Sequence, residues 1–220
     1  IKKLITKLSS TDSRILIYGP TGSGKELLAR KIHKNSQRSK EPFVVLNGAL
    51  LQSDNYEIEL FGSDNENGKI THGFLERAKG GTLLIDEVSE IPLDTQAKIL
   101  RVLMDQKFKR INGKEDIYVN VRIISSTSKN LKNEVMLGNF REDLYHRLNV
   151  VPIEIPALNS RTGDIPLLIK YFQKKISEIN GIPEIDINVN DELLYSYQWP
   201  GNVRELRNLV ERVSILSQNE

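Results

Sequence analysis

The stretch from Gly19 to Glu26, Gly-Pro-Thr-Gly-Ser-Gly-Lys-Glu, constrains this chain more than any other. It follows the apolar run Ile15, Leu16, Ile17, Tyr18 and precedes the helical pattern Leu27, Leu28, Ile32. A short buried strand, a glycine-rich turn and a helix are what a phosphate cradle requires. Gly19, Gly22 and Gly24 let backbone N–H groups converge on an anion without Cβ atoms in the way, and Thr21 and Ser23 complete the candidate loop. A helix opening near Lys25 adds the positive end of its dipole. Lys25 is then a point charge for the β- and γ-phosphates of a nucleotide. Glu26 stands where the general motif has the Ser or Thr that holds magnesium, so a merely glycine-rich loop stays open as the alternative on this stretch alone.

The second element follows Gly80 and Gly81, where Thr82, Leu83, Leu84 and Ile85 lead into Asp86 and Glu87. This reads as a buried strand delivering two carboxylates at its C-terminal end, the end at which open α/β sheets bind ligands. In that place Asp86 would hold Mg²⁺, directly or through water, and Glu87 would orient and polarise the attacking water of an in-line phosphoryl transfer. The alternative is a pair of surface carboxylates opening the loop before Pro92. Neither element decides the chemistry singly; together they point to nucleotide binding and hydrolysis.

The remaining pattern agrees with an α/β fold. Arg14 to Tyr18, Phe43 to Leu46, Thr82 to Ile85, Val121 to Ile124 and Val150 to Ile155 read as strands, separated by helical stretches, which predicts a parallel sheet with crossovers. Pro92 is expected in the first turn of a helix, Phe108 to Val119 as a hairpin around Gly113, and Arg141 to Leu148 as a helix. Beyond Pro156 the strands stop, and 165–179, 191–197 and 203–216 read as helices. Two parts are therefore expected, 1–156 as an α/β nucleotide-binding subdomain and 157–220 as an α-helical one.

Composition narrows the function classes. With 31 Lys and Arg against 29 Asp and Glu, the net charge of +2 makes no global field that would argue for nucleic acid or a membrane. Zero cysteines exclude disulfides and cysteine-ligated zinc, and His33, His72 and His146 have no metal-ligand spacing. No long apolar run and no signal-peptide pattern occur, so a cytoplasmic protein without membrane contact is expected. The first and last residues read as cuts from a longer parent.

Five ordered motifs resemble the central AAA+ domain of NtrC-type transcriptional activators: Gly19 to Glu26, Glu-Leu-Phe-Gly at 59–62, Gly-Gly-Thr-Leu-Leu-Ile-Asp-Glu-Val at 80–88, Phe-Arg-Glu-Asp-Leu-Tyr-His-Arg-Leu-Asn-Val at 140–150, and Trp-Pro-Gly-Asn-Val-Arg-Glu-Leu at 199–206. The resemblance spans essentially the whole chain and accounts for Glu26, because the family commonly has Gly-Lys-Glu there. It implies an AAA+ P-loop NTPase, with a parallel sheet flanked by helices and a small C-terminal helical lid, that hydrolyses ATP with Mg²⁺. It further implies that Asn47 is the switch holding the Glu87 carboxylate inactive, with a plain strand-end cap as the alternative. Arg141 and Arg147 match the family's arginine fingers, which reach into a neighbouring subunit's site; surface ion pairing to Glu142 or Asp143 is the alternative. Six residues apart, they would sit about 120° apart around a helix. Arg204 matches the sensor II arginine that reads the γ-phosphate from the lid, with an ordinary first-turn residue of a surface helix as the alternative.

Two sites depart from the family pattern. Sensor I usually ends Ala-Thr-Asn, and here Ser128 follows Thr127, so a hydroxyl replaces an amide among the candidate nucleotide contacts. Between Gly62 and Gly73, where sigma-54 activators carry Gly-Ala-Phe-Thr-Gly-Ala, this chain reads Ser63 to His72 with no aromatic residue. That absence resembles the NtrX branch and argues against productive sigma-54 contact. The resemblance implies a response regulator of a two-component system: a receiver domain upstream addressed by a sensor histidine kinase, a helix-turn-helix DNA-binding domain downstream, and a self-assembled hexamer or heptamer. RNA polymerase is the family's further partner. A nucleotide-dependent assembly module with little hydrolysis, and sigma-54 activation through a degenerate loop, are the competing readings.

Overall fold

The computed structural model describes residues 2–49, 56–64 and 70–217. Expectations that fall on 65–69, the middle of the segment without an aromatic, lie outside the described residues. In chain order the elements are α1 (Lys2–Ser9), β1 (Ile15–Tyr18), α2 (Lys25–Lys34), β2 (Phe43–Asn47), α3 (Tyr56–Phe61), β3 (Ser63–Asp64), β4 (Ile70–Thr71), α4 (Phe74–Arg77) and β5 (Thr82–Asp86). They continue with α5 (Leu93–Asp105), β6 (Lys107–Phe108), β7 (Ile117–Tyr118), β8 (Arg122–Thr127), α6 (Leu131–Met136), α7 (Glu142–Leu148), β9 (Val151–Glu154), α8 (Ile165–Asn180), α9 (Glu192–Ser196) and α10 (Asn202–Leu216). The chain divides into two compact units: Ile1–Tyr18 with Lys25–Glu154, and Gly19–Gly24 with Ile155–Glu220.

The first unit is built on a sheet of order β2-β5-β8-β1-β9, and every neighbouring pair in it is parallel. Its strands read as continuous apolar runs because helices cover both faces of such a sheet. Side chains alternate between faces: Leu83 and Ile85 enter one cluster with Leu46, Ile99, Phe140 and Leu144, while Leu84 between them is equally buried on the other side. Pro152 lies within β9, opposite Leu16. It is tolerated there because β9 is an edge strand, where a missing N–H costs no ladder bond.

Local differences from the sequence reading have physical causes. β8 runs on through Ser125, Ser126 and Thr127, all fully buried, although their hydroxyls made the run look finished at Ile124. Pro92 is the N-cap of α5, one step before its first turn. Arg141 likewise stands outside α7 as its N-cap, with extended backbone angles (φ −74°, ψ 132°), so the angular separation expected of two arginines on one helix does not apply. The polar segment after Gly62 contains a small ribbon, β3 antiparallel to β4.

The second unit's core gathers Leu158, Ile165, Ile169, Ile176, Trp199, Leu206 and Val210. α8 and α10 each show an apolar stripe at helical spacing, and these stripes supply most of that core. Trp199 is buried and donates its indole N–H to the Leu194 carbonyl at 2.8 Å, which fixes the turn leading into α10.

Candidate nucleotide site

In the sheet unit, the C-terminal ends of β5 and β8 and the start of α2 converge on Glu87. Lys25, at the first position of α2, is 6% exposed and its Nζ lies 3.1 Å from Glu87 Oε1. Glu87 Oε2 accepts two further bonds, from the Ser128 amide and the Ser128 hydroxyl, each 2.8 Å long. Burial pushes the Glu87 carboxyl up, but the Ser128 bonds and the Lys25 ammonium outweigh it and leave the group below the ordinary glutamate range. Glu87 also adopts the left-handed backbone conformation (φ 51°), which is costly for a residue with a Cβ. Three polar contacts hold its carboxylate in place.

Asp86 precedes it as the last residue of β5; its side chain accepts from the Ser126 hydroxyl, and its carbonyl accepts from Gly48 N at 2.7 Å. Asn47 is the β-ladder partner of Asp86, yet its carboxamide oxygen accepts from the Ala49 amide at 2.9 Å. Among the described residues Glu87 is thus held by Ser128 and Lys25, and Asn47 caps its own strand end. Glu26 turns to Arg30 one helical turn on, at 2.7 Å and half exposed, and is not brought to the carboxylate pair. An i,i+4 ion pair on a solvated helix face satisfies it there.

Arg141 and Arg147 are exposed. The Arg141 guanidinium pairs with Asp143 at 2.7 Å, and Arg147 reaches the Leu103 carbonyl at 3.5 Å, whereas the Glu87 carboxylate is bonded to Lys25 and Ser128.

The remaining candidate residues belong to the second unit. Gly22 and Gly24 have positive φ (76° and 104°), Ser23 is buried, and Thr21 and Arg204 are exposed. Here the carbonyls of the loop are engaged by residues of the helical part: Asn202 Nδ2 donates to Thr21 O at 3.0 Å, Val203 N to Gly22 O at 3.0 Å, and Arg161 Nη2 to Ser23 O at 2.7 Å. Gly19 and Gly22 are packed so tightly that a Cβ would lie 2.3 Å from the Ile155 and Gly201 carbonyl oxygens respectively. Sequence reasoning gave no role to Ser126, Arg161 or Asn202. Asn202 sat inside a quoted motif and could have been singled out there, whereas nothing in the sequence marks Arg161.

The sheet order, the lysine opening α2 and the acidic pair ending β5 define an AAA+ P-loop NTPase with a helical lid. More narrowly, residues 1–154 match the Sigma-54 interaction domain and residues 159–220 the AAA+ ATPase lid domain, and the chain belongs to this family of NtrC-type regulators. The nitrogen assimilation regulatory protein NtrX of Azorhizobium caulinodans is 48% identical over 219 residues, which are 99% of this chain and 48% of that protein. NtrX of Brucella abortus, crystallised in complex with ATP, superposes with a TM-score of 0.94 at 48% identity, covering 100% of this chain and 51% of that one. A crystal structure of the same protein with ADP gives the same TM-score and identity. The chain spans about half the length of the relatives it matches.

Proposed function

We propose that this chain binds ATP through the Gly19–Gly24 loop and Lys25, and hydrolyses it with Glu87 as the group that orients water. The observation that carries the reading is the meeting of Lys25 and Glu87 at the sheet's ligand-binding end, far apart in the chain and 3.1 Å apart in space. The ammonium now neutralising Glu87 is the charge a β- or γ-phosphate would claim, which frees the carboxylate to turn to water. Ser128 would then limit how far Glu87 can swing, since its amide and hydroxyl both grip the same oxygen. NtrX complexes with ATP and ADP support nucleotide as the ligand.

Asp86 fits a magnesium ion better than a self-sufficient metal cage. It is a single half-buried carboxylate, and among the described residues no group of three or more His, Cys, Asp or Glu could hold a metal. Mg²⁺ suits one carboxylate because it keeps waters and takes phosphate oxygens for the rest of its shell. When bound, it would supply charge neutralisation along the phosphates.

The reading has turnover completed by a neighbouring copy, which the exposure of Arg141 and Arg147 supports. Exposed on their own chain, they would be available to a second copy's nucleotide, as the family resemblance implies. The reading includes ring assembly as a hexamer or heptamer, and a division into a nucleotide-binding part, 1–156, and a lid, 157–220. A longer parent would add receiver and DNA-binding domains and use the cycle in transcription control. Phosphate release per chain should rise with protein concentration, and Arg147→Ala should lower it by on the order of 10³-fold. Unchanged turnover and assembly in Arg147→Ala would remove the finger assignment.

A second reading, an assembly module with little hydrolysis, is favoured by one feature: no aromatic residue occurs between Gly62 and Gly73 to grip a sigma factor. ATP uptake with turnover too slow to matter would support it, and brisk hydrolysis that depends on Glu87 would count against it.

A further inference from the structure

Gly19–Gly24 and Ile155–Glu220 form one compact unit, and the hydrogen bonds between the loop and the helical residues within it follow a pattern. The carbonyls of Thr21, Gly22 and Ser23 all accept from that unit: from Asn202 Nδ2 at 3.0 Å, from the amides of Val203 and Arg204 at 3.0 and 3.3 Å, and from Arg161 Nη2 at 2.7 Å. In a trans peptide the N–H points opposite to the C=O of the same plane. Fixing the Thr21 carbonyl therefore fixes the direction of the Gly22 N–H, and fixing the Ser23 carbonyl fixes that of the Gly24 N–H. Both amides are turned away from the helical unit's donors, at the two glycines whose positive φ shapes the loop.

The two side chains that make these contacts are themselves held. Asn202 is 2% exposed, takes a left-handed conformation (φ 52°), and accepts from the Leu158 amide at 2.8 Å through its other amide atom. Arg161 is half-buried, reaches Asp164 at 3.6 Å, and its Nε is buried without a hydrogen-bond partner.

We infer that Arg161 and Asn202 are positioning residues for nucleotide binding: from the helical part, they set the direction of the Gly22 and Gly24 amides that would face the phosphates. This rests on the nucleotide reading above. It goes beyond it in assigning affinity to two lid side chains that need not touch the nucleotide. A loop whose amides point correctly only part of the time binds more weakly by that fraction.

The test is the dissociation constant for ATP and for ADP on the 220-residue chain, with the thermal midpoint measured alongside. Arg161→Ala should weaken both nucleotides alike, by about tenfold, because loop amides serve phosphates that ATP and ADP share. Its thermal midpoint should stay at the wild-type value. Arg161→Lys, which keeps a donor for the Ser23 carbonyl, should recover most of the affinity. Asn202→Asp retains an acceptor for Leu158 but places an oxygen against the Thr21 carbonyl, and should weaken both nucleotides at least as much as Arg161→Ala. Affinities within twofold of wild type in both variants, or a loss confined to ATP, would overturn the inference, the latter by placing the side chain on the γ-phosphate. A wild-type chain that takes up neither nucleotide would overturn the nucleotide reading and this inference with it.

Discussion

Replacing Arg110 should loosen the attachment of the β3–β4 ribbon. Arg110 donates to both Glu76 oxygens at 2.8 and 2.7 Å and to Asp64 at 3.2 Å, joining the stretch after β6 to α4 and to β3. Backbone bonds run alongside, Asp64 N to Ile111 O and Ile111 N to Gly62 O, each 3.0 Å. Exposed ion pairs contribute roughly 0–1 kcal/mol, and breaking a buried one costs about 3–5 kcal/mol. Arg110 and Glu76 are each 12% exposed, between those limits, so Arg110→Ala should cost about 2 kcal/mol. A double-mutant cycle with Glu76→Gln in urea at pH 7 should return a coupling of about 1–2 kcal/mol. The Arg110 hydrogen bonds first, against the effect of burial, and His72 after them hold the Glu76 carboxyl below the ordinary glutamate range. The unfolded chain then binds the extra proton, so this stabilisation is complete above roughly pH 4.5 and is lost as pH falls through the folded value. Glu76→Gln should flatten that acid limb. A loss below about 0.5 kcal/mol, or a coupling indistinguishable from zero, would refute the reasoning.

Two further perturbations test the sheet unit. His33 is buried against Phe43 with its Nδ1 3.0 Å from the Thr82 hydroxyl, and burial lowers its pKa despite an opposing backbone bond. The folded state therefore resists protonation, and its stability should decline as pH falls below about 6.5; His33→Gln should remove that slope in urea midpoints taken between roughly pH 5 and 7. At Gly81 a Cβ would lie 1.9 Å from the Pro42 carbonyl oxygen, a backbone atom that cannot give way cheaply. Gly81→Ala should therefore cost about 3 kcal/mol or more by thermal unfolding, and a midpoint near wild type would show that the β2–β5 connection relaxes.

How much of this was legible beforehand follows from what each residue depends on. Ile15 to Tyr18 and Thr82 to Asp86 were readable because a strand buried on both faces is apolar throughout, and the glycine loop and acidic pair because their chemistry restricts residue type. The end of β8 was not readable, since Ser125 and Ser126 look like loop residues until a neighbour such as Asp86 supplies a partner inside the sheet. The switch role expected of Asn47 came from resemblance, and no local pattern encodes it; the Asn47 oxygen accepts from Ala49 and the Glu26 carboxylate pairs with Arg30, contacts set by local turn and helix geometry. Arg161 and Asn202 act on carbonyls far away in the chain, and no local pattern encodes such a meeting.

Mg·ATP titration of the chain beside its Lys25→Ala and Glu87→Gln variants tests the central claim most directly. Wild type and Glu87→Gln should both saturate at or below about 1 mM ATP, with turnover lost only in the latter, while Lys25→Ala should fail to bind. Uptake by Lys25→Ala equal to wild type, or none by wild type at that concentration, would contradict it.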